Sequence, residues 1–156
     1  MAGSERALSS VDGLAQLSFA VYGTLERRAA ERELSMIQTR LLGVLRDRRP
    51  TMNELARLLE LDKSSITGLV ARAERRGLVV RVPSGRDRRS VQVELTDEGR
   101  SLVAEVSARF EADVTAMLAR LPSADRGLLA DLVSRVLVAD AARRGIDLFT
   151  DADEPG

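Results

Sequence analysis

Three sets of side chains in this chain have the types and spacing to engage another molecule. Lys63, Ser64, Ser65 and Thr67 fall within five residues, and Arg72 follows. An ammonium and three hydroxyls are compact donors that can approach phosphate oxygens or base edges, the two surfaces a nucleic acid presents. The second set is Arg86, Asp87, Arg88 and Arg89, between Pro83 and a β-branched stretch. Arg88 and Arg89 suit a narrow A·T-rich minor groove, where negative potential concentrates, and Arg86 suits a phosphate. A free Asp87 would be repelled by phosphate, so it is read as a partner orienting Arg89 or Arg72. The third set, Phe19, Tyr22, Met36, Ile37 and Phe110, offers apolar surface to a small ligand that the Tyr22 hydroxyl could orient. Each set also has a plainer reading: Ser64 and Ser65 as helix-start caps, the arginines as a solvated hairpin, and the apolar set as core.

What is missing narrows the chemistry. The chain has no Cys and no His, which removes disulfides, thiolate metal sites and the usual neutral-pH general base. No calcium-loop signature, phosphate-binding glycine loop or nucleophile arrangement is present, so neither cofactor, metal nor catalysis is expected. No run approaches the ~18 apolar residues of a membrane span, and the N-terminus lacks the layout of a signal peptide. A cytoplasmic protein without a membrane partner is expected. Net charge is +0 over 156 residues, yet Asp62–Ser90 carries eight basic residues against three acidic ones, a local +5. A whole-chain charge says little about the field at one face.

The elements that must position these residues follow from periodicity. A helix begins near Asp12, with Leu14, Leu17, Val21 and Leu25 at helical spacing. It turns polar across Glu26–Glu33, where a solvated end is expected. Ser35 with Gln38, and Thr51 with Glu54, are capping-box pairs opening two more helices. Asp62 can cap a fourth, whose Ile66, Leu69, Val70 and Ala73 share one face and which Gly77 closes. Two short helices joined by a tight turn make a helix-turn-helix. Residues 78–82 and 90–95 read as strands of a hairpin with the arginines at its tip. After a cap at Thr96 or Asp97, an apolar stripe from Leu102 to Leu121 continues beyond Pro122 from Leu128 to Leu137, with Ser123 as the last cap. The expected fold is mainly α with a small β wing. A winged helix-turn-helix over 35–96 is flanked by helical regions at 12–34 and 97–140, with a C-terminal tail over 141–156. The flanking stripes exceed what the winged unit needs for its core. They point to a homodimer, with a helical cap folded on the same subunit as the alternative.

The run Gly85-Arg86-Asp87-Arg88-Arg89-Ser90-Val91-Gln92-Val93-Glu94-Leu95-Thr96-Asp97-Glu98-Gly99 resembles the wing motif of the MarR-type bacterial transcriptional regulators and the helix start that follows it. Residues 58–67 and 69–79 resemble that family's helix-turn-helix, and the likeness extends over about 12–140. The resemblance implies a dimer on double-stranded DNA, acting as a repressor of a pseudo-palindromic operator and released by a small aromatic or phenolic effector bound between the dimer helices and the winged unit. It makes Arg89 the foremost candidate for minor-groove insertion. Gly68 departs from the larger polar or basic side chain frequent at that place. The alternative function is a winged-helix module for protein contact or architectural DNA binding, without operator specificity.

Overall fold

The computed structural model describes residues 8–85, 90–143 and 145. The fold is mainly helical: α1 (Ser10–Ala30), α2 (Met36–Asp47), α3 (Met52–Leu59), α4 (Lys63–Arg75), a two-stranded antiparallel sheet of β1 (Val79–Pro83) and β2 (Val91–Leu95), then α5 (Asp97–Leu118) and α6 (Ser123–Arg143). No helix among the described residues is long and apolar enough to cross a membrane.

Local chemistry sets most of the boundaries. Ser35 with Gln38 and Thr51 with Glu54 form complete capping boxes, in which side chain and backbone satisfy each other's donors. The Asp62 carboxylate accepts from the Ser65 backbone N–H at 2.8 Å. Of the two candidate caps before α5, Thr96 takes the role, accepting from Gly99 N–H at 3.0 Å. α4 ends on Gly77 at φ +71°. The Gly77 N–H donates to Glu74 O at 2.8 Å and the Leu78 N–H to Ala73 O at 3.0 Å, closing the helix end. Leu78 therefore stands outside the strand expected to begin with it, because its N–H is already used by the helix. Ser123 is the first residue of α6 rather than the cap before it.

The hairpin pairs Val79 with Leu95, Arg81 with Val93 and Pro83 with Val91. On its other edge β2 is bonded by the segment before α3, through the Val93 N–H to Pro50 O at 2.9 Å and a bridge between Thr51 and Gln92. The stretch read as a mere helix stop thus also covers an edge of the wing. Leu41, Leu55, Ile66, Leu69, Val70 and Val93 form the fully buried centre, contributed by α2, α3, α4 and β2. The first turn of α5 docks closely on this unit: a Cβ on Gly99 would stand 2.0 Å from the Leu78 carbonyl oxygen. Glycine is required there by space, since its φ is ordinary.

The flanking helices are a different environment. Along α5, Leu102, Val103 and Val106 are buried, Phe110 and Val114 are half-buried, and Met117 is exposed. On α6, Leu128, Leu132, Val136 and Leu137 are all exposed. The polar end of α1 is more engaged than a solvated end would be. Ala29 is 0% exposed, and the charges around it pair with α5. Arg28 grips Asp113 through two bonds of 2.7 and 2.9 Å, and Arg109 reaches Glu31 at 2.9 Å. Arg28 holds the Asp113 carboxyl below its usual range. Partial burial would raise the Glu31 carboxyl, but the hydrogen bonds from Arg109 and Arg28 outweigh it and leave it lowered.

Candidate nucleic-acid interface

The turn between α3 and α4 is tight because Glu60 takes a left-handed conformation at φ +56°. The Leu61 N–H then closes on Ala56 O at 2.9 Å, and Asp62 starts the next helix two residues after Glu60. α4 leans on the core through Ile66, Leu69, Val70 and Ala73. That choice of buried face turns Lys63, Ser64, Ser65, Thr67 and Arg72 outward, and all five are exposed. The sequence-derived set on this helix therefore lies on one continuous surface.

The hydroxyls differ in what they can still do. Ser65 Oγ donates to the Asp62 carboxylate at 2.6 Å, and Thr67 Oγ1 donates to Lys63 O at 2.7 Å. Both oxygens keep lone pairs, but their protons are occupied. Ser65 thus takes part in the helix start through the Asp62 cap. Ser64 Oγ and Lys63 Nζ meet no protein partner among the described residues, which leaves their donors available. Bonds from the Ser65 hydroxyl and backbone keep the Asp62 carboxyl below its ordinary range, so the cap stays ionised near neutral pH. At Gly68, an added Cβ would sit 3.4 Å from an Arg72 guanidinium nitrogen. The bare backbone at this place is overlain by the flexible Arg72 side chain.

A cavity of about 240 Å³ opens between α3, α4 and the hairpin, lined by Met52, Ala56, Lys63, Thr67, Arg81 and Val91 among others. It brings Lys63 and Thr67 beside the hairpin at Arg81 and Val91. Arg81 is 3.5 Å from Glu74. Arg76 bonds to the backbone at the end of α1, to Glu33 O at 2.8 Å and Arg32 O at 3.1 Å. Nothing in the sequence near Arg76 signals a partner 43 residues away.

Arg86, Asp87, Arg88 and Arg89 lie outside the described residues, as does the acidic tail beyond residue 145. The apolar set is divided. Phe19 and Tyr22 are exposed on α1, at 71% and 51%, whereas Met36 and Ile37 pack against the core at the start of α2. Phe110 is half-buried on α5.

A helix-turn-helix with an exposed polar face, followed by a hairpin edge-bonded to the preceding loop, is the geometry of a winged helix. Residues 33–90 match the family model described as MarR family. Residues 33–90 carry a winged helix-turn-helix of the MarR family of transcriptional regulators. The chain is 38% identical over 79 residues to the HTH-type transcriptional repressor NicR of Pseudomonas putida, covering 50% of each protein. It is 44% identical over 80 residues to the transcriptional activatory protein BadR of Rhodopseudomonas palustris, covering 47% of this chain and 45% of that one. The chain spans about half the length of these curated relatives. Among solved structures it is similar to NadR in complex with 4-hydroxyphenylacetate, with a TM-score of 0.65 at 26% identity over 87% of this chain and 97% of that one.

Proposed function

We propose that the chain acts as a homodimeric, sequence-specific regulator of transcription on double-stranded DNA, with α4 as the recognition helix in the major groove. The observation that carries this reading is the outward face of α4, where Lys63, Ser64, Ser65, Thr67 and Arg72 are exposed together. The helix places its N-terminal half outward, the part that contacts base edges in this class of motif. Lys63 and Ser64, whose donors meet no partner among the described residues, read or anchor the DNA, and Ser65 and Thr67 accept through their remaining lone pairs. At the wing, Arg88 and Arg89 insert into the minor groove, Arg86 meets phosphate and Asp87 orients an arginine, a reading that rests on the sequence motif alone.

The homodimer reading is supported by the exposed apolar residues of α1 and α6, Leu14 and Phe19 on one and Leu128, Leu132, Val136 and Leu137 on the other. A second copy covering them gives the two-fold symmetry that a pseudo-palindromic operator mirrors. Repression by occupying the operator is the sense we favour. The matched relatives include both a described repressor and a described activatory protein, so the sense is the first point to test in cells. For the effector we propose a small aromatic acid bound near Phe19, Tyr22, Met36 and Phe110. NadR, whose structure holds 4-hydroxyphenylacetate, supports that ligand class.

The test is selection from a randomised duplex pool at physiological salt, followed by anisotropy against scrambled DNA with Lys63→Ala and Arg89→Ala alongside wild type. A two-fold symmetric site bound at least ~10³ more tightly than scrambled DNA is expected, with affinity reduced in both variants. Uniform weak binding to every duplex would overturn the reading in favour of a module without operator specificity.

A further inference from the structure

We propose that Arg76 is a positioning residue that fixes the angle of the recognition helix on the dimer, and thereby the operator spacing the protein accepts. The inference rests on the dimeric DNA-binding reading above. Arg76 follows the last residue of α4, and its two terminal nitrogens reach Glu33 O at 2.8 Å and Arg32 O at 3.1 Å. Those carbonyls lie in the turn that follows α1, closed by the Leu34 N–H on Ala29 O at 3.0 Å. The same turn is held to α5 by Arg28–Asp113 at 2.7 Å, Arg109–Glu31 at 2.9 Å and Arg32–Glu105 at 3.4 Å. A continuous chain of polar bonds therefore runs from α4 through the end of α1 to α5.

The opposite side of the α4 terminus is fixed as well. Thr96 Oγ1 donates to Gly77 O at 2.6 Å, the Thr96 N–H donates to Leu78 O at 3.1 Å, and Gly99 abuts the Leu78 carbonyl. The C-terminal end of α4 is thus clamped between α1 and α5, while its N-terminal half faces outward. The helix has 13 residues, a lever of roughly 20 Å. A swing of about 10° at the clamp displaces its far end by roughly 3 Å, close to the ~3.4 Å rise of one base pair. Arg76 is exposed, and α4 is buried by four apolar residues without it. Losing Arg76 frees the winged unit, with α4 fixed in it by those four residues, to turn against the end of α1 without removing the core. A guanidinium spans two carbonyls with fixed geometry, which an ammonium does not reproduce.

Because the chain has no Cys, Ser64→Cys gives one spin label per protomer at the far end of the lever. Electron–electron distance measurements on the DNA-free dimer should give a narrow distribution with native Arg76. With Arg76→Ala the distribution should widen by roughly 3 Å or more, and Arg76→Lys should fall between. In parallel, unlabelled wild type, Arg76→Ala and Arg76→Lys are titrated on the selected half-sites with spacers altered by one base pair. Arg76→Ala should lose about tenfold in discrimination between spacers, keep the same base preferences within each half-site, and keep the urea midpoint near wild type. An unchanged distance width and unchanged spacer preference in Arg76→Ala would overturn the proposal, as would a shift in urea midpoint alone. The absence of any distance between labels would overturn it together with the dimer. Failure of the DNA-binding reading is distinguished by wild type enriching no site while the label distances still respond to Arg76.

Discussion

The winged unit and the outer helices are built from similar residues, Leu, Val, Ala and Arg, and yet their surroundings are opposite. In the winged unit, Leu41, Leu55, Ile66, Leu69, Val70 and Val93 are almost wholly removed from water by their own chain. On α6, Leu128 and Val136 stand 57% and 61% exposed. α5 passes between the two regimes, buried at Leu102 and exposed by Met117. The difference lies in the number of neighbours the chain can supply. Three helices and a hairpin enclose one another, whereas the long outer helices have an apolar stripe that no other described residue covers. One region buries its apolar surface by folding; the other leaves it exposed, the observation behind the proposed homodimer.

The largest expected effect that could break this contrast is at the seam between the regions. Gly99→Ala puts a Cβ 2.0 Å from the Leu78 oxygen, and backbone must move to admit it. A loss of about 3 kcal/mol or more in urea unfolding is expected; an unchanged midpoint would mean that α5 does not dock as described. Next come paired substitutions in the two regions. Leu69→Ala should cost about 2–5 kcal/mol by leaving a cavity in the core. Leu132→Glu with Val136→Glu should leave the winged unit folded while converting the dimer to monomer in sedimentation. A dimer of undiminished strength in that double variant would remove α6 from the interface.

Smaller effects sharpen the picture. Asp113→Asn removes the α5 partner of Arg28. The Asp113 carboxyl is held below its ordinary range when folded, so its contribution is present above the unfolded value near ~3.9 and is lost as pH falls through the lower folded value. The stability gap between wild type and Asp113→Asn should stay constant from neutral to mildly acidic pH and close only below about pH 4. A gap already closing at pH 6 would assign the coupling to another group. The smallest effect is at Glu60, whose φ of +56° is a conformation glycine adopts without strain. Glu60→Gly should stay within about 0.5 kcal/mol of wild type, relief of strain offsetting the added chain entropy. A loss of more than 1 kcal/mol by thermal melt would show that the Glu60 side chain itself matters.

The helix starts were readable because capping is a contract between residues three apart. Ser35 with Gln38 and Thr51 with Glu54 need only a short window of sequence, and the buried face of α4 needs only its own periodicity. The strand boundary at Leu78 was misplaced by one residue, since whether its N–H goes to a helix end or a sheet depends on how α4 terminates. The polar stretch at the end of α1 misled for a related reason. Its charges read as solvated until Asp113, 85 residues away, is brought beside Arg28.

By itself, then, the sequence determined the succession of helices and hairpin, the caps of α2, α3 and α4, the outward set on α4 and the family likeness, all properties of local pattern. Only the tertiary structure decided which donors on α4 are already occupied, that Arg76 reaches across to α1, that Gly99 is a point of contact between α5 and the Leu78 backbone, and that the stripe on α6 is left uncovered. Those depend on which distant segments meet, and such meetings are set by the packing of the whole chain rather than by any window of it.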